Sequence, residues 1–310
     1  MKLNGIDYST LFSVCQQKNE FSNAFSFKKG INSRKNLTKR RIGYIIHYKY
    51  YVLSNNGNTA ERSFVFRMEA IRCEHLTKIY PKVTAVEDLN LTVETGELFA
   101  LLGVNGAGKS TTVKMLATLT APTSGDAFLG GKSILRDRAE VKRMIALSPQ
   151  ETAVAPNLTV KENLLLMAQV CGFSKETVSK KVADMAQTFG LTGHLSRRAG
   201  KLSGGWQRRL SLAMALIGDP EILFLDEPTL GLDVFARSEL WDAIRALKGR
   251  VTVILTTHYM EEAEALSDRI GIMRDGKLLT VGTAEQIKVL AGCEKFEDAF
   301  IRVVKGEVSL

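Results

Sequence analysis

The sequence predicts an α/β fold with a mixed central sheet, a small antiparallel sheet and an inserted block of helices. Three observations lead there. Residues 103–110 read Gly-Val-Asn-Gly-Ala-Gly-Lys-Ser, a G-x-x-x-x-G-K-S spacing set between a short apolar run and a helical one. Apolar runs at 222–225 and 251–255 have the unbroken character of parallel strands buried on both faces. Around 151–200 the pattern turns helical, opening with a capping-box signature at Thr159 and Glu162.

The elements follow in order from Met68. Residues 71–80 and 83–93 read as strands, with Leu89, Leu91 and Val93 alternating. Residues 98–102 are a short buried strand, and after the glycine loop Val113, Leu116, Ala117 and Thr120 recur at helical spacing. Phe128-Leu129 and Ile134-Leu135 flank Gly130-Gly131, a hairpin signal. Residues 145–147 form a strand ending at Ser148-Pro149-Gln150. Thr159 opens a helix to about Val170, and Ser174 opens a second that fades near Gly190. A further helix carries Leu210, Ala213, Met214 and Ile217 on one face until Gly218 and Pro220 stop it. The helical subdomain is expected over about 151–215. Asp275-Gly276, between 270–273 and 278–280, reads as a closing hairpin.

Composition narrows the partners. The 310 residues suffice for one large domain or two small ones. Cys15, Cys73, Cys171 and Cys293 are far apart with no C-x-x-C, so free thiols in a reducing compartment are expected. No run approaches 18 apolar residues, and no secretory apolar core opens the chain. The net charge of +9 is local: residues 1–67 hold 12 Lys and Arg against 3 Asp and Glu, leaving 30 of each over 68–310. The region from Met68 therefore has no basic signal for nucleic acid. Residues 1–67 also lack proline and hold 11 of the 23 aromatics, and 42–53 is too short and too interrupted by His47 and Lys49 to span a bilayer. That stretch reads as a basic arm for acidic lipid or nucleic acid, as a targeting leader, or as upstream sequence translated from an early start codon. The last is preferred. Residues 1–67 are expected to be a basic extension, disordered or not native, and the catalytic domain to run over 68–310.

Three segments carry chemistry. Gly103, Gly106 and Gly108 let the backbone curl so that its N–H groups face phosphate oxygens, and the helix that follows presents an anion-favouring N-terminus. Lys109 then reaches the β- and γ-phosphates and Ser110 binds Mg²⁺. The plain alternative is a glycine-rich turn with a chance Lys-Ser. The strand at 223–225 ends in Asp226 and Glu227: the first can hold Mg²⁺ through its hydration shell, and the second is placed to orient or deprotonate the attacking water. Alone, they would be a surface acidic pair. Leu202-Ser203-Gly204-Gly205-Trp206-Gln207 places a hydroxyl and free N–H groups at another helix start. One triphosphate cannot easily occupy two such sites in one chain, so a second subunit is implied; the alternative is an ordinary Ser cap.

In this order the segments resemble the nucleotide-binding subunit of an ATP-binding-cassette transporter, over about 70–305. The resemblance is nearest to single-domain subunits of drug and antibiotic exporters with a separate permease. It is carried by Leu76-Thr77-Lys78-Ile79-Tyr80, by residues 100–112, by Leu225-Asp226-Glu227-Pro228-Thr229-Leu230-Gly231-Leu232-Asp233 and by Thr256-Thr257-His258-Tyr259-Met260-Glu261-Glu262-Ala263. It implies a P-loop NTPase core that binds ATP and Mg²⁺, with Asn105, Ala107 and Thr111 joining Gly103, Gly106, Gly108, Lys109 and Ser110 on the nucleotide. It implies that Tyr80 stacks on adenine, that Gln150 touches Mg²⁺ and the water, that His258 holds the γ-phosphate, and that Asp233 contacts the opposite subunit. It further implies a head-to-tail dimer over two ATP molecules, peripheral on the cytoplasmic membrane face. Soluble cassette ATPases of translation, DNA maintenance or cofactor assembly are the rivals. Trp206 departs from the family signature, which often has Gln there, and leaves any role of that side chain open.

Overall fold

The computed structural model describes residues 68–308, together with the strand backbones at 2–3, 6–7, 46–53 and 59–66. Within residues 1–42, strands β1 (Lys2–Leu3) and β2 (Ile6–Asp7) pair antiparallel. The rest of the chain, residues 43–310, is a second unit. It opens with an antiparallel pair, β3 (Ile46–Leu53) and β4 (Thr59–Phe66). The expectations for the remainder of 1–67 lie outside the described residues.

Two sheets form the body of the second unit. Strands β5 (Glu69–Tyr80), β6 (Val83–Glu94), β8 (Ser124–Leu129) and β9 (Lys132–Ser133) make an antiparallel sheet in the order β6-β5-β8-β9. The central sheet has the order β10-β11-β12-β7-β13-β14, with β7 at Leu98–Gly103, β10 at Ile145–Ser148, β11 at Ile222–Asp226, β12 at Thr252–Thr257, β13 at Arg269–Arg274 and β14 at Lys277–Gly282. Its first five strands are parallel and β14 closes it antiparallel. The sheet is mixed, as the sequence predicts. Every residue of β7, β11 and β12 is buried, which is why these strands read as unbroken apolar runs.

Alternation along the central strands divides the core. Phe99, Leu101, Phe224 and Ile254 pack with the antiparallel sheet and with α1 (Lys109–Leu116). Leu98, Leu223, Leu225, Val253 and Leu255 face the helical block and its neighbour. That face is covered by α3 (Val160–Val170), α4 (Lys175–Thr188) and α5 (Gly204–Leu216), which follow the short α2 (Arg138–Met144), and by α6 (Val234–Arg245). A third cluster joins Ala100, Leu102, Ile270 and Ile272 to α7 (Met260–Leu266), α8 (Ala284–Ala291) and α9 (Phe296–Lys305).

Local chemistry sets the helix boundaries. Thr159 and Glu162 form the capping box foreseen for α3, and Ser174 caps α4 by accepting from Thr177 N–H. Helix α1 ends sooner than its spacing predicts: Thr118 takes a left-handed φ of 58°, so Thr120 lies outside it. The Gly130-Gly131 hairpin forms with its second strand at Lys132–Ser133. There the Ser133 hydroxyl accepts from the N–H groups of Leu135 and Arg136 and draws the chain out of the ladder.

Candidate functional site

Sheet order brings the predicted residues together. The neighbouring parallel strands β10, β11, β12 and β7 end, respectively, next to Gln150, at Asp226-Glu227, next to His258 and at the glycine loop. All four ends lie at the carboxyl edge of the sheet, where open α/β sheets take their ligands.

The loop is close-packed at its two ends, Gly103 and Gly108. Gly108 is the N-cap of α1 with φ 103°, and a β-carbon there would run into the Ala85 carbonyl oxygen. Lys109 is buried, 5% exposed. Its Nζ donates to the carbonyls of Gly103 at 2.7 Å and Val104 at 3.2 Å, and lies 3.7 Å from Glu227 Oε1. Burial pushes its ammonium below the ordinary lysine range, against the opposing pull of Glu227 and Asp226. Ala107 is buried, Val104, Asn105 and Gly106 are exposed, and Thr111 is half-buried.

Two hydroxyls converge on one oxygen. Ser110 Oγ donates to Asp226 Oδ1 at 2.9 Å and Thr256 Oγ1 donates to the same atom at 2.6 Å. A hydroxyl beside a buried carboxylate suits Mg²⁺, which takes one or two protein oxygens and completes its shell with waters and phosphate oxygens. Among the described residues no three His, Cys, Asp or Glu side chains could cage a metal, and a phosphate-bound Mg²⁺ needs no such cage.

Glu227 is the meeting point. Its φ is 47°, a left-handed conformation uncommon for a residue with a β-carbon. The strand partner holds it there: Glu227 N–H donates to both the carbonyl and the hydroxyl oxygen of Thr256, each at 3.1 Å. Besides Lys109, Oε1 meets His258 Nδ1 at 3.3 Å. That ring nitrogen is buried and makes no aligned hydrogen bond. Gln150 Nε2 donates to Glu227 Oε2 at 3.5 Å, the outer limit of a hydrogen bond. One carboxylate is thus ringed by a cation, an imidazole and an amide, at the edge of a loop shaped for phosphate.

The remaining predicted residues lie apart from this cluster. Tyr80 ends β5, exposed, with Lys78 Nζ 5.1 Å from its ring centroid. Ser203 occupies the N-cap position of α5, yet its side chain makes no cap hydrogen bond; Ser203 and Gly204 are exposed and Gly205 half-buried. Asp233 is exposed and caps its own helix, α6, by accepting from Ala236 N–H at 2.9 Å. Trp206 packs within its own chain, its ring 4.4 Å from that of His194 and 4.8 Å beneath the Arg209 guanidinium.

Two residues at the site went unrecognised as individuals. Thr256 steers both carboxylate residues, and Arg208, 4% exposed, donates to backbone carbonyls around them. Thr256 sits within the family-like phrase at 256–263, which was the only clue to it; its register opposite Asp226 shows only in the structure. Arg208 carries no such clue, because it reads as half of a basic pair with Arg209.

Comparison with known proteins identifies the family and the fold. Residues 86–230 match the family described as ABC transporter. The chain is 40% identical over 224 residues to the daunorubicin/doxorubicin resistance ATP-binding protein DrrA of Streptomyces peucetius, an alignment covering 72% of this chain and 68% of that protein. It is 40% identical over 222 residues to the human phospholipid-transporting ATPase ABCA3, covering 70% of this chain but only 13% of that much longer protein. A solved structure described as an ATP-binding subunit of an ABC transporter superposes with a TM-score of 0.68 at 27% identity, covering 76% of this chain and 99% of the other.

Proposed function

The chain belongs to the ABC transporter family as an ATP-binding, ATP-hydrolysing domain, and from that premise we propose that it powers export through a separate membrane permease. ATP lays its phosphates along residues 103–111 and its adenine on Tyr80, and Ser110, Asp226 and Gln150 would hold Mg²⁺. Bound there, such an ion would supply positive charge to offset that of the phosphates. Two chains close head to tail, so that Ser203, Gly204, Gly205 and Asp233 of one meet the nucleotide on the other. The helical subdomain passes the motion to the permease at the cytoplasmic membrane face. Among the described residues no helix is long and apolar enough to cross a membrane. The ATPase domain is taken to run over 68–310. An export role is supported by the DrrA relative, whose name states drug resistance.

The observation that carries the hydrolytic part is the setting of Glu227, half-buried and in contact with Lys109, Gln150 and His258. Its carboxylate takes a proton from the attacking water, Lys109 and His258 hold the γ-phosphate, and Gln150 aligns the water. Glu227→Gln keeps the shape and removes the base. Hydrolysis should fall by about 10²- to 10⁴-fold with ATP binding intact. Phosphate release and nucleotide-dependent dimerisation measure both, and near-normal hydrolysis would sink the assignment. A soluble cassette ATPase is the second reading; failure to co-purify with any membrane protein would favour it.

A further inference from the structure

Arg208 lies on α5, the helix that starts just after Ser203, and reaches into the edge of the candidate site. Its guanidinium donates to the carbonyl of Pro149 at 2.8 Å, of Gln150 at 2.5 Å and of Glu227 at 3.4 Å. It is 4% exposed and touches no nucleotide-facing side chain by these bonds; all three acceptors are backbone. A rigid fork of donors can bridge two loops in a way that a single ammonium cannot. Each bond has a local consequence. The Gln150 carbonyl belongs to the residue whose amide meets Glu227 Oε2. The Glu227 carbonyl completes the fastening of a left-handed residue whose N–H is already held by Thr256. Burial opposes the charge on Arg208, and Asp226 and Glu262 favour it.

We propose that Arg208 is a positioning residue that sets Gln150 and Glu227 against each other and ties both to the helix beginning at Ser203. Engagement of Ser203 by a partner chain's nucleotide would then act on this chain's own hydrolytic carboxylate through a single side chain. The inference rests on the proposed roles of Glu227, Gln150 and Ser203. Arg208 contributes to turnover and not to holding ATP, because the phosphate loop and Tyr80 lie outside its hydrogen bonds.

The test uses the full chain with Arg208→Lys, Arg208→Gln, Gln150→Ala and Glu227→Gln made side by side, reading kcat, KM, ATP affinity and melting temperature. Folded Arg208→Gln should lose at least about tenfold in kcat while KM and ATP affinity stay within about threefold. Arg208→Lys, which keeps the charge and part of the donor set, should recover some of that loss. Combined with Gln150→Ala, the Arg208→Gln loss should be less than additive, as coupled residues require. A kcat loss in Arg208→Gln smaller than about tenfold overturns the inference. So does a parallel fall in ATP affinity, or a collapse of melting temperature in both Arg208 variants, since Arg208 would then be a pillar of the fold alone. The Glu227→Gln arm separates the two claims. Near-normal hydrolysis there defeats the site assignment itself, whereas an inactive Glu227→Gln beside active Arg208 variants defeats only this inference.

Discussion

Helix α1 begins beside Gly106 and Gly108, and helix α5 begins with Gly204 and Gly205, yet their surroundings differ. At the first, Lys109 is buried against two carbonyls and Glu227, and the Ser110 hydroxyl is committed to Asp226. At the second, Ser203 and Gly204 are exposed, and the Ser203 hydroxyl does not cap its own helix. Both starts offer N–H groups and a favourable dipole to an anion. Only the first is surrounded by the carboxylates, the imidazole and the amide that hydrolysis needs. The difference teaches that a helix N-terminus becomes a hydrolytic site through the strand ends around it, and that an exposed, unassisted one suits an anion carried on another molecule.

The largest expected effect separates the two starts by removing the first. Lys109→Ala deletes a buried charge at the phosphate loop and leaves Glu227 without its cation. A hydrogen bond to a charged group contributes about 1.5–3 kcal/mol, so ATP affinity of the monomer should fall by about tenfold to more than a hundredfold, with hydrolysis abolished. Titration with a fluorescent ATP analogue measures it. Unchanged affinity would mean that the loop at 103–110 is not the primary phosphate site.

A smaller binding effect with an equally complete loss of turnover is expected at the second start. Ser203→Arg puts a bulky cation where a partner's nucleotide would approach, on an exposed residue outside the hydrogen bonds and ion pairs of the Lys109-Glu227 cluster. Monomer ATP affinity should stay within about twofold while hydrolysis stops. Mixing Ser203→Arg with Lys109→Ala chains and measuring ATP binding and activity checks the assignment. A Ser203→Arg monomer that no longer binds ATP would show that both starts serve one nucleotide in one chain.

The unequal settings also explain what the sequence could and could not tell. The loop, the acidic strand end and the helix caps were legible because each is a local pattern: a spacing, a run, a capping pair. The order β10-β11-β12-β7 was not, since crossovers between distant segments decide it, and it is this order that seats Gln150, Glu227 and His258 around one point. Adjacent like residues were indistinguishable. Arg209 pairs with Glu239 at 2.6 Å, whereas Arg208 is buried, because α5 is covered on most sides and leaves no polar stripe to sort them. Likewise Glu261 is exposed, whereas Glu262 is buried, accepts from Trp241 Nε1 at 3.1 Å and has its carboxyl pushed up by burial. Helix α8 could have been found: Thr283 and Gln286 form a capping box of the type read at Thr159.

The smallest effect is also the sharpest test of how Ser203 differs from an ordinary cap. Thr283 accepts from Gln286 N–H at 3.1 Å, so its hydroxyl satisfies a helix donor that would otherwise be left open. Replacing such a cap by Ala costs about 1 kcal/mol, which in a domain of this size lowers the melting temperature by roughly 2–4 °C. Ser203 makes no such bond, so Ser203→Ala should leave the melting temperature of the nucleotide-free protein within about 1 °C of wild type. The same substitution should still weaken nucleotide-dependent dimerisation in the Glu227→Gln background, because in the proposed head-to-tail pair the hydroxyl would meet the partner's phosphate. Differential scanning fluorimetry on Thr283→Ala and Ser203→Ala, followed by size-exclusion chromatography with MgATP, reads both quantities. If Ser203→Ala costs as much melting temperature as Thr283→Ala, the hydroxyl serves its own helix in solution, and the contrast between the two helix starts loses its chemical basis.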